Sequence, residues 1–497
     1  MKQSRALVTA VVLALIPLTR LVPLILNNAM YSVDSWPLLR LVTIVLKNPS
    51  VKLLELNTHH ANWPLSTLFA ATYIEIVSVD PYSFYSCVGI VVLSFALSCL
   101  VCALVSRSTS YIQKVLALLS LLLYTPFTIY TSAYLKEVYA YPIALTLLLT
   151  LITGFGRRHL LLAPLLIMAL TLSHPLASLM ALSFTVTYIY LKLVLWSKLG
   201  VRDFKNVSKL LLTGFLLATI CPIYNILIVR PPITFTLTDI AILIAFATAV
   251  YGLFFLIYPS RVGSLGCTLA LAVMGVAGFM SIAIGFSIHY TVICHSLPLF
   301  TLAILLVDPI SREALFSIAA LLPIATLTLY TLTYASWLAT IAHRFLNYLV
   351  IPLALSLMLL AKKLRKGVFI VLLTLFLSSS LALYNAYRGR DFITFYWRFT
   401  EMDIALARLI EGSAGSKVIA GVKYAYMLGD AYVNSNTIAL SKALQACDAL
   451  SNAVLALNYD ELVQGVPLSP LTYLKPLKNI VYCHSLVYSN LYNYLMV

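Results

Sequence analysis

Apolar runs of about twenty residues recur along the chain, separated by short polar segments. That is the length an α-helix needs to cross the hydrocarbon core of a bilayer. The pattern predicts thirteen spans, near residues 6–26, 83–106, 114–133, 138–155, 159–173, 175–197, 208–228, 236–258, 265–288, 289–307, 312–333, 345–361 and 367–387. The first is read as a span, because no small-residue cleavage site follows it. Two regions break the pattern. In the long loop over residues 27–81, Asp34, Ser35 and Pro37 start a short apolar helix that stops at Asn48–Pro49. Trp63–Pro64 starts a second, which ends at the Asp80–Pro81 break. Both have polar flanks, as helices lying along a membrane surface do. From about Tyr387 the apolar density falls, and the pattern predicts helices over 400–412 and 441–450 with strands over 417–422, 453–458 and 480–484. The chain thus reads as an all-α polytopic bundle over 1–387 and a small mixed α/β domain over 388–497.

Composition agrees. The chain is 61% hydrophobic and 10% charged, against about 25% charged in soluble domains. Its formal charge of +16 could suggest nucleic acid, but the placement of the basic residues argues otherwise. Seventeen Lys and Arg fall on one alternating set of loops and ends, from Lys2 and Arg5 to Lys362–Lys366, and six on the other. The positive-inside rule then puts the N-terminus in the cytoplasm and both the first loop and the C-terminal domain outside a cell membrane. The charge is a topology signal, and no nucleic-acid partner is expected. Six cysteines lie in or near spans as packing residues. Cys447 and Cys483 fall in the exterior domain, free or joined in a disulfide. The triplet at Asn206–Ser208 lies in a cytoplasmic loop and is expected to carry no glycan.

Polar residues at membrane ends gather on the exterior side. Seven of the eight histidines fall there, as do Asp34, Lys136, Glu137 and Arg344. Asp34 suits a general base on an acceptor hydroxyl or a cation ligand, and equally an N-cap. Lys136–Glu137 heads the fourth span, where an acid–base pair is costly unless paired or used. Glu137 is a candidate second carboxylate and Lys136 a candidate phosphate contact; the alternative is a pair snorkelling to headgroups. His174, between two spans, is either satisfied by helix-end carbonyls or a contact to phosphate or sugar. His59–His60 is half a metal site at most, and His60 is kept as a substrate contact. His343–Arg344 opens the twelfth span, and its guanidinium suits phosphate or anchors headgroups. No P-loop, GxGxxG, GxSxG or HExxH motif occurs.

In order and sidedness, YSVDSWP, WPLSTL, KEVYAYP, LSHPLASL and HRFLNYLVIP resemble the GT-C superfamily of membrane glycosyltransferases over roughly residues 1–390. The layout is similar to the protein O-mannosyltransferase and aminoarabinose-transferase branches and to archaeal relatives with an exterior C-terminal domain. The resemblance implies transfer from a polyprenyl (dolichyl) phosphate sugar to a protein, lipid or glycan acceptor on the exterior face. It carries the first-loop aspartate onto Asp34, the second acidic position onto Glu137 and the lipid-phosphate position onto Arg344 or Lys136. Ser35 stands where a second acid is usual, so an Mg or Mn ion between Asp34 and Glu137 stays open. The WWDYG-type signature of oligosaccharyltransferases is absent. Two alternatives remain: a transporter or flippase of lipid-linked glycans, which needs ionisable residues at mid-depth, and a non-catalytic membrane subunit.

Overall fold

The computed structural model describes residues 2–56, 58–104, 111–153, 157–199, 204–229, 237–257, 312–334, 344–345, 347–363, 368–388, 397–412, 418–429, 432–445, 454–458, 461, 466–469, 472–474, 486–489 and 493–496. Helix α1 (Lys2–Asn27) leads into the first loop, which carries α2 (Ser35–Lys47) and α3 (Leu65–Val77). A turn at Pro81–Ser83 and a π-helical turn at Phe84–Val88 run on into α4 (Gly89–Leu104). Then come α5 (Tyr111–Leu123), α6 (Thr125–Tyr130), α7 (Lys136–Thr153), α8 (Arg157–Ser173), α9 (Pro175–Leu199), α10 (Phe204–Ile223) and α11 (Leu237–Ile257). Beyond these stand α12 (Arg312–Thr333), α13 (Val350–Lys363) and α14 (Val368–Tyr387).

Among the described residues, three stretches are long and apolar enough to cross a membrane by length and composition: Leu7–Asn27, Pro81–Ala103 and Ser208–Val229. Seven shorter apolar helices accompany them. Thirteen spans do not follow from the structure, and the runs at 265–288 and 289–307 lie outside the described residues.

The run at 114–133 is also not one helix. It stops at Leu123, turns through Tyr124 in an extended conformation, and restarts as α6 with Pro126 in the first turn. Proline has no N–H for the ladder, and its ring clashes with the preceding turn, which accounts for the break. Irregular backbone at membrane depth survives only where protein covers it. Here the cover includes Arg20 of α1, which is 1% exposed. Its guanidinium donates to Leu121 O, Thr131 Oγ1 and Ile16 O, each at 2.8 Å. Arg20 thus bridges the end of α5 and the end of α6. Arg20→Met leaves buried acceptors without their donor, at a cost of about 1–3 kcal/mol. The expected result is a lower unfolding midpoint in detergent, and an unchanged midpoint would show that the break holds without the bridge.

The first-loop helices follow the pattern read from sequence. Leu38, Leu41, Val42 and Val45 of α2 are buried at helical spacing. The buried face of α3 is small, with Ser66, Thr67, Ala70 and Ala71, so it packs closely against α2 and α7.

The C-terminal region contains α15 (Glu401–Gly412), β1 (Val418–Ala420), α16 (Val422–Leu428), β2 (Val433–Asn434), α17 (Thr437–Gln445) and β3 (Val454–Asn458). Strands β4 (Val466–Ser469), β5 (Thr472–Leu474), β6 (Leu486–Ser489) and β7 (Asn493–Met496) follow. A mixed sheet runs β2-β1-β3-β7-β6, with β1 parallel to β2 and β3, and β7 antiparallel to β3 and β6. Leu406, Ile410, Val418, Tyr424 and Ala456 form its own core. Buried Asp403 accepts from Lys423 Nζ and Tyr424 OH, both at 3.0 Å. Helix α16 was not foreseen, and α17 starts earlier than the expected 441. The expected strand at 480–484, Cys447 and Cys483 all lie outside the described residues. Arg40 of α2 ties this region to the first loop, donating to Tyr426 O at 2.6 Å and Met427 O at 2.5 Å.

Candidate active site

Asp34 follows Ser32, whose φ of 81° lies in the left-handed region, and precedes α2. It occupies the cap position of α2, yet its side chain accepts no capping hydrogen bond. The carboxylate turns instead to Arg344, whose Nη2 lies 3.3 Å from Asp34 Oδ2. The other guanidinium nitrogen, Nη1, stands 3.8 Å from Glu137 Oε2. Residues 34, 137 and 344 therefore meet around one guanidinium.

Glu137 is the more enclosed of the two acids, its side chain 1% exposed against 22% for Asp34. Tyr130 OH donates to its Oε2 at 2.7 Å and Tyr141 OH to its Oε1 at 3.0 Å. Tyr141 is one helical turn along α7, so its approach follows from spacing. Tyr130, the last residue of α6, reaches Glu137 across the turn over residues 131–135. The start of α7 is braced by Tyr134, whose OH donates to Ser66 O at 3.1 Å and whose carbonyl accepts from Ser35 Oγ at 3.3 Å. Gly89 makes room for this ring, since a Cβ there would lie 2.6 Å from Tyr134 Cδ2.

A second cluster surrounds Trp63. Lys136 is 6% exposed, and its Nζ lies 4.7 Å from the Trp63 ring centroid with no hydrogen-bond partner among the described residues. His59 packs on the same indole with ring centroids 5.0 Å apart, and His174 at 6.5 Å. His60 stands 5.7 Å from His59 and 6.4 Å from Tyr426. Trp63 Nε1, His60 Nδ1, His174 Nδ1 and Arg344 Nε are likewise buried without partners. A buried donor left unmade costs about 1–3 kcal/mol, more if charged; the Lys136, Trp63 and Arg344 nitrogens only donate, whereas each neutral imidazole Nδ1 donates or accepts. Burial first, and then the Lys136 ammonium, hold the imidazoles of His59 and His60 well below their usual pKa, so both are neutral at physiological pH. Asp34 pulls His59 in the opposite direction, which puts the two clusters within electrostatic reach.

Of the residues singled out in sequence, Asp34, Glu137 and Arg344 come together directly, and Lys136, His174 and His60 gather beside them. His343 lies outside the described residues. Tyr130, Tyr141 and Trp63 are the side chains sequence reasoning had not assigned. For a divalent metal the fit is poor. No group of three His, Cys, Asp or Glu occurs among the described residues. Arg344 stands between the two carboxylates, and both Glu137 oxygens already accept from phenols.

No family model matches the chain, and no curated protein matches it. Among solved structures, the crystal structure of the Archaeoglobus fulgidus oligosaccharyltransferase in the apo form matches 91% of this chain and 70% of that one. The TM-score is 0.54 at 13% identity. At that identity the likeness is one of fold. The chain shares the fold of that structure over most of its length and contains helices long and apolar enough to cross a membrane by length and composition.

Proposed function

We propose that this protein is a membrane glycosyltransferase moving a sugar from a polyprenyl phosphate to a protein, lipid or glycan hydroxyl or amide on the exterior face. The observation that carries the reading is the meeting of Asp34, Glu137 and Arg344 beside a buried Lys136 whose Nζ has no hydrogen-bond partner among the described residues. Asp34, the more open carboxylate, takes the acceptor proton. Arg344 orders Asp34 and Glu137 and supplies positive charge at the reacting centre, in place of a metal. Its charge is already matched by two acids, so the phosphate falls to Lys136, with the Trp63 and His174 nitrogens as neutral donors. The transporter alternative gains nothing from Arg20, which bonds to neutral oxygens with no carboxylate among those partners.

The test is transfer from radiolabelled polyprenyl-phosphate sugars in liposomes, wild type against Asp34→Asn, with and without EDTA. Transfer lost in the variant and indifferent to EDTA supports the reading; equal transfer by both proteins would falsify it. Lys136→Met is expected to raise the donor KM by about tenfold or more, the usual worth of a charge-assisted phosphate contact. A KM unmoved by this change would assign the phosphate to Arg344 instead.

A further inference from the structure

We propose that Trp397, from the segment between α14 and α15, is a positioning residue that holds the Asp34 loop and the Tyr130–Glu137 pair in register. The proposal rests on the transferase reading above. Trp397 is 5% exposed and touches both halves of the carboxylate site at one remove. On one side its carbonyl accepts the Ser32 N–H at 2.7 Å. Ser32 is a non-glycine residue at φ 81°, a conformation that persists only where its surroundings hold it. Ser32 Oγ in turn accepts the Asp34 N–H at 3.3 Å. The turn that directs Asp34 toward Arg344 rather than onto its own helix is therefore pinned to Trp397.

On the other side the indole packs against Tyr130, with centroids 5.1 Å apart, and edge-on against Tyr31 at 5.7 Å. Tyr130 is the phenol that donates to Glu137 Oε2, and its ring also lies 5.7 Å from the Arg344 guanidinium carbon. Tyr31 precedes the strained turn. One indole thus fills the space between the residues that set the two carboxylates. The elements that carry those carboxylates are also tied directly by the Ser35 hydroxyl on Tyr134 O, and Trp397 joins them on a second side. Trp397 touches none of the reacting groups, so its effect passes through Ser32, Tyr31 and Tyr130.

Removing the ring lets Tyr31 and Tyr130 move into the space it leaves, and the contacts of Arg344 to both acids lengthen. A displacement of about 1 Å at a reacting centre costs on the order of a hundredfold in rate. Trp397→Ala is therefore expected to lower kcat by about that factor, with the donor KM changed less than about threefold. Trp397→Phe keeps a ring on Tyr130 and is expected to restore kcat to within about tenfold. Hydrogen exchange gives a readout that needs no transfer: amides over residues 30–35 exchange faster in Trp397→Ala and at the wild-type rate in Trp397→Phe.

The experiment uses the full chain in nanodiscs, with Asp34→Asn alongside. If Asp34→Asn transfers like wild type, the transferase reading falls, and the exchange data still decide whether Trp397 holds the loop. If Asp34→Asn is inactive while Trp397→Ala keeps the wild-type kcat, the positioning role is overturned. A loss of kcat with no rescue by Phe and with unchanged exchange over residues 30–35 also overturns it, as damage of a general kind.

Discussion

Asp34→Asn abolishes sugar transfer, by about 10²–10⁴-fold, while leaving donor binding within a few-fold of wild type. The size is that of a general base removed from a positioned site. Asparagine keeps the shape of the side chain and can still lie against the Arg344 Nη2, but it cannot accept a proton from the acceptor. Arg344 keeps Glu137 as a counter-charge when the Asp34 charge is lost. Asp34 makes no cap to α2, and its side chain is 22% exposed. The expected variant is therefore folded, binds donor and is inactive. The measurement is transfer together with donor affinity on the same preparation. A variant that unfolds, or that loses donor binding in proportion to its rate, would make Asp34 a structural or binding residue instead.

Arg344→Met gives the second large effect, and this one reaches stability as well as rate. It leaves Glu137, 1% exposed, with two phenol donors and no cation, and leaves Asp34 facing a methyl group. Breaking a buried ion pair by removing one partner costs about 3–5 kcal/mol. A lower unfolding midpoint and loss of transfer are expected together. Arg344→Lys is the informative companion. An ammonium restores the charge but not the fork that spans 3.3 Å to Asp34 and 3.8 Å to Glu137. It is expected to recover most of the stability and little of the rate. The variant Arg344→Met with Glu137→Gln should regain stability without regaining transfer, because the unpaired charge is gone while the site stays incomplete. Full activity in Arg344→Lys would show that charge alone suffices there.

The sequence was most legible where the signal is local. The first-loop helices ended up at Ser35–Lys47 and Leu65–Val77 because proline placement, polar flanks and apolar spacing act over a turn or two. Tyr141 could have been joined to Glu137 from the i,i+4 relation in KEVYAYP. The break at Tyr124 was missed since hydropathy runs unbroken through Pro126, and a window sum is blind to one absent N–H. Arg20 went unassigned, since nothing near it in sequence announces the carbonyls that receive it. Likewise Trp397 sits in a stretch with no motif, and its partners are residues 31, 32 and 130.

By itself, then, the sequence determined that the chain is rich in apolar segments suited to a membrane, and which short segments carry its unusual polar residues. Those follow from transfer free energies and capping rules that each stretch obeys on its own. Only the tertiary structure decided that Asp34 turns from its helix to Arg344, that Arg344 is matched by two acids, and that Lys136 Nζ has no hydrogen-bond partner among the described residues. Such pairings join positions hundreds of residues apart. They exist only after the bundle has closed and water has left, when each buried charge must take whatever partner packing has brought to it.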